Sequence, residues 1–380
     1  MGFSRLLVYS RRFPPDAVGG AETVIAALVA QAQREVEEVR LVAGFQRARG
    51  LLPLDCAAID LRGSDAGIGA WLRRRLVAST RLGEEIRRFR PDVVLSNAVE
   101  LPRLDVPSVV IAHDFAFGRA ADAPREPRDL LRRAGWWWTG RRATLAVAVS
   151  EVTRAALADL GWPADRIRVV RGGVDLARFS PAGQSADDAA WVGLPPGLRV
   201  AVIGRLVPEK GVEDAIAGLA GALAGGLTAS MVIAGSVVEP AFVDRLRAAA
   251  RGLPVRFLLD PDQVAPVYRA ADVALFPTRV REGLGLAAIE AMACGLPVVH
   301  ADDPAVVEAT DGLGVVVPRR APAAISAALR RLAGGDALRA QLGAAGRALC
   351  EARYGWETVF RGYRAVLDEA VSLGARRTWG

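Results

Sequence analysis

The stretch "RVAVIGRLVPEKGVEDAI", Arg199 to Ile216, decides how this chain is built. A short β-branched run stops at Gly204, a loop carrying Arg205 and Lys210 closes at Gly211, and apolar residues then recur at helical spacing. That succession predicts strand, turn and crossover helix, the unit from which parallel sheets are made. The unit recurs along the chain. In the first half the strand runs are "RLLVYS" (Arg5 to Ser10), "VRLVAG", "DVVLSN", "SVVIAHD", "LAVAVS" and "IRVVRGG"; in the second they are "RVAVIGR", "SMVIAGS", "VRFLLD", "DVALFPT", "PVVHAD" and "LGVVVP". Between the halves, "SPAGQSADDAAWVGLPPG" (Ser180 to Gly197) is rich in Pro, Gly, Ser and Asp without apolar periodicity, and predicts an interdomain linker. At 380 residues the chain also exceeds the size at which one hydrophobic core stops growing. The expected fold class is α/β: two Rossmann-like, doubly wound parallel-sheet domains facing a central cleft, with ligands at the carboxyl ends of the strands.

Composition excludes several classes. With 52% hydrophobic and 24% charged residues the chain is neither fibrous nor disordered. Its three cysteines, Cys56, Cys294 and Cys350, are too scattered for a disulfide framework or a zinc site, and a reducing cytoplasm is expected. "MGFSRLLVYSRRF" reads as a first strand rather than a signal peptide, and no apolar run reaches the about 18 residues that span a bilayer. The net charge of +7 raises the possibility of nucleic acid, but the basic residues are dispersed among 42 acids with no recognition motif, so no nucleic-acid partner is expected. Anionic small molecules or anionic lipid fit that charge at least as well. Lys210 is the only lysine among 49 lysines and arginines.

The motifs lie where strands end. Arg205 and Lys210 on one loop suit a diphosphate, Arg forking onto two oxygens and Lys acting as a point charge; the alternative is a solvated loop with an incidental ion pair. The strand "DVALFPT" runs into "REGLGLAAIEAMACG", where Gly283 and Gly285 let backbone approach a ligand before a helix that ends at Gly295. Glu290 is the lone acid of that helix and needs hydroxyls, a cation or water; a sugar diol offers two O–H donors, and an arginine is the plainer partner. Glu282 reaches the same ligand from the loop. Gly283-x-Gly285-x-x-Ala288 also matches a loose dinucleotide fingerprint, but late in its domain.

In the first half, Gly19 and Gly20 precede a helix N-terminus, and His113 and Asp114 stand where a strand ends. His300 is expected to be structural, and Asp303 before Pro304 to be a helix cap rather than a metal ligand. The cluster "RRAGWWWTGRR" is expected either at a membrane surface, through Arg132, Arg133, Trp136, Trp137, Trp138, Arg141 and Arg142, or packed on the first sheet.

Taken together, "GGAE", "AHD", "AVSEVTRAAL", "VVRGGVDLARFSP", "GRLVPEKG", "VIAGS" and "REGLGLAAIEAMACGLPVV", in that order, resemble the retaining GT-B glycosyltransferases of family 4, glycosyl transferases group 1. The resemblance implies an acceptor-side domain at 1–180, a linker at 181–197, a nucleotide-sugar domain at 198–355 and a C-terminal helix, 356–380, crossing back to the first domain. It implies a bacterial-type transferase that carries a sugar from a nucleotide-diphosphate sugar, with UDP or GDP as the nucleotide, to a hydroxyl of a glycan, lipid-linked glycan or natural product, with no metal and no cofactor. By the same resemblance, Arg205 and Lys210 would hold the diphosphate, Glu290 the ribose, and Glu282 with Gly283, Leu284, Gly285 and Leu286 the transferred sugar. Gly19 and Gly20 would meet phosphates, and His113, with Glu282, the reacting centre. Placement is expected to be cytoplasmic, with peripheral contact at the inner membrane face. The chain departs from the family at Gly172, where Asn is common, and at Pro304-Ala305, where a Gly-Gly pair is usual. Alternatives are a GT-B-type epimerase or phosphorylase, or a non-catalytic nucleotide-sugar binder.

Overall fold

The structure, a computed structural model, describes residues 2–11, 13, 19–44, 56–59, 68–98, 101–102, 104–113, 127–182 and 189–377; of residues 44, 56–59, 68–75, 127–132 and 376–377 only the backbone is described. Asp114 lies outside the described residues. Two compact units emerge, one built from Met1–Phe115, Pro124–Gly172 and Trp356–Gly380, the other centred on Gly173–Gly355.

The first unit holds seven parallel strands: β1 (Arg5–Ser10), β2 (Glu38–Gly44), β3 (Cys56–Ile59), β4 (Val93–Ser96), β5 (Ser108–Ala112), β6 (Leu145–Ala148) and β7 (Ile167–Val169), in the order β3-β2-β1-β4-β5-β6-β7. Six match the strand runs of the sequence. β3 is additional: "CAAI" lacks a β-branched run, and it becomes a strand by pairing with β2, Leu41 beside Cys56. Helices α1 (Gly20–Glu35), α2 (Ile68–Phe89), α3 (Pro127–Gly140) and α4 (Glu151–Asp159) connect the strands.

The second unit holds β8 (Leu198–Ile203), β9 (Ala229–Gly235), β10 (Val255–Leu259), β11 (Val273–Phe276), β12 (Val298–Ala301) and β13 (Val315–Val317), in the order β10-β9-β8-β11-β12-β13. Its helices are α5 (Val212–Ala224), α6 (Pro240–Ala249), α7 (Ala265–Arg269), α8 (Leu286–Ala293), α9 (Pro304–Ala309), α10 (Pro322–Ala333) and α11 (Asp336–Arg353). Every residue of β9 is buried, as expected of a strand covered by helices on both faces. The core runs through Val200, Val202, Ile216, Leu219, Met231, Ile233, Phe242 and Leu329.

The last helix, α12 (Trp356–Arg377), is part of the first unit and packs on α1, β4, β5 and β6. The backbone N–H of Phe3 donates to Asp368 Oδ1 at 3.3 Å, and Arg168 pairs with Glu369. The division between units falls at Gly172–Gly173, ahead of the expected linker. The described end of that stretch is packed onto the second unit rather than extended: Trp191 is buried under Arg199, and Arg256 donates to the carbonyls of Ala189, Ala190 and Val192. A buried indole and a guanidinium that gathers three carbonyls override the loop-like composition there. Cys294 and Cys350 are free and buried.

Candidate functional site

In both sheets the strand order reverses beside the first strand of the unit, between β1 and β4 and between β8 and β11. Such switch points open a crevice at the carboxyl ends of the strands. The second unit concentrates its candidate residues at that point.

After β8 the chain turns at Gly204, passes Arg205, forms a 3-10 turn over Pro208–Lys210 and reverses at Gly211. Gly211 has φ 69°, and a Cβ there would stand 2.0 Å from the carbonyl oxygen of Pro277. Only glycine lets this loop meet the segment that follows β11. Arg279 fastens the same junction: its backbone N–H donates to Glu209 O at 2.8 Å, and its guanidinium grips Asp214 through two 2.7 Å bonds while also pairing with Glu213. Arg205 and Lys210 line one hollow with Ile203, Phe276 and Pro277.

The two cations differ. Arg205 is exposed, and its guanidinium has no hydrogen-bond or ion-pair partner among the described residues. Lys210 Nζ donates to both oxygens of Glu282, at 2.7 and 2.9 Å, and stands 5.4 Å from the Phe276 ring. Thr278 Oγ1 lies 2.7 Å from Glu282 Oε1, and the Glu282 backbone N–H donates to Asp303 Oδ2 at 3.3 Å. Glu282 is therefore held on three sides, and an anion approaching Lys210 competes with a carboxylate already in place.

Gly285, at φ 95°, starts α8, with Leu284 buried before it and Leu286 as the first helical residue. Glu290 lies half-buried in α8, beside the buried Ile289. Its carboxyl has no hydrogen-bond or ion-pair partner among the described residues. Burial pushes its carboxyl up to about 7, against the smaller opposing influence of the Arg178 charge. Tyr268, whose hydroxyl donates to Ala287 O at 3.0 Å, is held well above its ordinary value by burial and then by the Glu290 charge. The structure thus gathers Arg205, Lys210, Glu282 and Gly283 to Leu286 around one switch point, while among the described residues no side-chain hydrogen bond ties the Glu290 carboxyl to that group.

In the first unit Gly19 is the extended N-cap residue of α1 and Gly20 its first residue. His113 follows β5; its Nε2 is buried without a hydrogen-bond partner among the described residues, and burial lowers the ring to about 4, leaving a neutral imidazole at pH 7. His300 is fully buried, its Nδ1 2.9 Å from Ala301 O and its Nε2 3.3 Å from Thr310 Oγ1, a structural histidine. Asp303 caps α9, accepting from Ala305 and Val306 N–H groups at 3.0 and 3.2 Å, with Pro304 at the first helical position.

The tryptophan cluster divides. Trp136 is buried edge-on to Trp162, whose indole N–H donates to Trp136 O at 3.0 Å. Trp137 and Trp138 remain 45% and 39% exposed, with Arg141 stacked at 3.5 Å and Arg142 at 3.9 Å over their rings. The side chain of Arg132 lies outside the described residues, and Arg133 is exposed.

Residues that sequence reasoning did not assign to the site are Thr278, Asp303 and Arg319. Asp303 was legible only as a cap. Arg319 carries no signal in its spacing.

Comparison with known proteins agrees with this fold. The model of "Glycosyl transferases group 1" matches residues 197–334 and that of "Glycosyltransferase Family 4" residues 18–178. A D-inositol 3-phosphate glycosyltransferase of Kineococcus radiotolerans is 33% identical over 312 residues, covering 72% of this chain and 69% of the relative. The namesake from Acidothermus cellulolyticus is 38% identical over 243 residues, 58% of this chain but 52% of its own length, so this chain matches about half of that relative. HepE of Anabaena, crystallised with UDP, superposes with a TM-score of 0.77 at 18% identity, covering 96% of this chain and all of the other, a likeness of fold. The chain belongs to the family 4, group 1 glycosyltransferases. Its two doubly wound units are those of the GT-B fold.

Proposed function

We propose that the protein is a retaining glycosyltransferase that moves a sugar from a nucleotide-diphosphate sugar to a hydroxyl acceptor. The observation that carries this reading is the pairing at the switch point of the second unit: an unpartnered Arg205 and the chain's sole lysine on one loop, beside a buried-sided carboxylate, Glu282. Arg205 and Lys210 take up the negative charge that develops on the departing diphosphate, the part a metal plays elsewhere, and no metal is invoked. As the diphosphate enters, Lys210 exchanges Glu282 oxygens for phosphate oxygens, and Glu282 is released toward the sugar. The glycines from Gly283 to Gly285 admit the sugar to backbone N–H groups at the start of α8. The acceptor oxygen bonds to the anomeric carbon on the face from which the diphosphate leaves, and its proton departs with the diphosphate. Glu290, without a protein partner, accepts from the ribose hydroxyls. In the first unit, Gly19 and Gly20 offer the N-terminus of α1 to phosphate, and neutral His113 offers Nε2 to a sugar hydroxyl.

The nucleotide is tested first with UDP, then with GDP. At a ligand concentration about a hundredfold above Kd, the matching nucleoside diphosphate should stabilise the fold by roughly 2.7 kcal/mol, read as a rise in melting temperature, while nucleoside monophosphates give little. If no UDP or GDP species shifts the melting curve, and no labelled sugar reaches any acceptor, the transferase reading fails. Binding without turnover would instead favour the non-catalytic reading.

We also propose that α3 meets anionic lipid. Exposed Trp137 and Trp138 suit headgroup depth, and Arg133, Arg141 and Arg142 supply charge of the right sign. Vesicles of phosphatidylglycerol should sediment the protein, and those of phosphatidylcholine should not. The double variant Trp137→Ala, Trp138→Ala should bind about tenfold more weakly or worse, since each lost indole removes apolar contact at the interface. Equal sedimentation with either lipid would discard this contact.

A further inference from the structure

One chain of polar contacts runs across the carboxyl ends of four neighbouring strands. Lys210 follows β8, Thr278 and Glu282 follow β11, Asp303 follows β12 and Arg319 follows β13, and these strands are adjacent in that order. Lys210 and Thr278 hold the Glu282 carboxylate from one side. From the other, the Glu282 backbone N–H donates to Asp303 Oδ2 at 3.3 Å, and the Arg319 guanidinium donates to the same oxygen at 2.6 Å. The second Asp303 oxygen is committed to the cap of α9. Asp302 fixes the far end, accepting the Arg319 backbone N–H at 3.1 Å, with the buried Arg319 Nε 3.7 Å away from the same oxygen.

Asp303 is fully buried. A buried ion pair contributes little net stability relative to apolar packing because desolvation offsets attraction, although removing one partner alone leaves a costly unpaired charge. What the pair supplies is an acceptor for the backbone N–H of Glu282. We infer that Asp303 and Arg319 are positioning residues that set the Glu282–Gly285 loop for the transferred sugar, acting through the Glu282 N–H rather than by touching the ligand. Pro304 fits this role: at the first helical position of α9, beside the Asp303 cap, it fixes the backbone where the acceptor is presented. The inference rests on the transferase reading for the identity of the ligand, but not for the link between Asp303 and the loop.

The test uses Asp303→Asn, which keeps a helix-capping side chain but loses the charge, and Arg319→Met, which leaves Asp303 in place. Three readouts are taken. In the ligand-free protein, hydrogen exchange of amides 279–285 should quicken about tenfold in Asp303→Asn, the factor corresponding to one lost bond to a charged acceptor. In both variants KM for the nucleotide sugar should rise about tenfold with kcat within about threefold, because ground-state positioning is lost while the reacting groups remain. Affinity for the nucleoside diphosphate lacking the sugar should change less than about threefold, since Arg205 and Lys210, the cations that meet it, keep their places in both variants. Unchanged exchange, or equal losses for the nucleotide and the nucleotide sugar in step with a falling melting temperature, overturns the inference. If the wild-type chain binds no nucleotide sugar, the transferase reading falls, and the exchange measurement still decides whether Asp303 holds the loop.

Discussion

Lys210→Ala should lower the rate of sugar transfer about a hundred- to a thousandfold, the loss typical of removing one preorganised donor from a site of developing negative charge. The argument rests on scarcity and geometry together. The chain has no second lysine to substitute, and Nζ is aimed by two bonds to Glu282 and by its position beside the Phe276 ring. Removing it also frees Glu282, which keeps only Thr278 as a side-chain partner. Lys210→Arg should recover part of the rate, because charge is restored but the compact point donor is not. The measurement is initial rate at saturating nucleotide sugar, alongside thermal denaturation to confirm a folded protein. A folded Lys210→Ala protein that keeps most of its rate would remove Lys210 from the mechanism.

Glu290→Gln should separate stability from binding. The native carboxyl is raised from the ordinary 4.5 to about 7, chiefly by burial. Between those two values the native state holds more protons than the unfolded chain, so the group's contribution to stability is greatest in acid and declines as pH rises through the window. An amide carries no charge to desolvate. The variant should match the wild type near pH 4 and exceed it near pH 8 by up to about 3 kcal/mol, as read from denaturant unfolding at both pH values. Binding should move the other way. Ribose hydroxyls donate to the carboxylate form, so nucleoside diphosphate should bind more tightly as pH rises through about 7, with a proton released on binding near neutrality. Calorimetry in buffers of different ionisation enthalpy reads that proton directly, and the Gln variant should release fewer, keeping only the part that comes from the diphosphate itself. A wild-type affinity flat from pH 6 to pH 8 would place the ribose elsewhere.

Much of the architecture was legible because parallel strands buried on both faces announce themselves as β-branched runs. Among the described residues, twelve of the thirteen strands follow such runs, and β3 escaped because Cys-Ala-Ala-Ile gains its pairing from β2 rather than from its own propensity. Glycines read well where geometry leaves no alternative, as at Gly211 and Gly285. The Trp-rich run was ambiguous for a physical reason: neighbouring residues on α3 point in different directions, so Trp136 enters the core while Trp137 and Trp138 stay outside. The partners of charges were not legible. Spacing paired neither Lys210 with Glu282 nor Asp303 with Arg319, because these contacts join residues from different strand ends and depend on sheet order, which no local pattern encodes.

The Lys210–Glu282 pair has a practical consequence. Because no other side chain of this protein is a primary amine, reductive methylation with carbon-13 formaldehyde would tag one side chain, apart from the chain terminus. The methyl resonance of that tag would report directly on whether the ammonium faces its carboxylate or a phosphate, giving a one-signal spectroscopic gauge of occupancy in a 40.2 kDa protein.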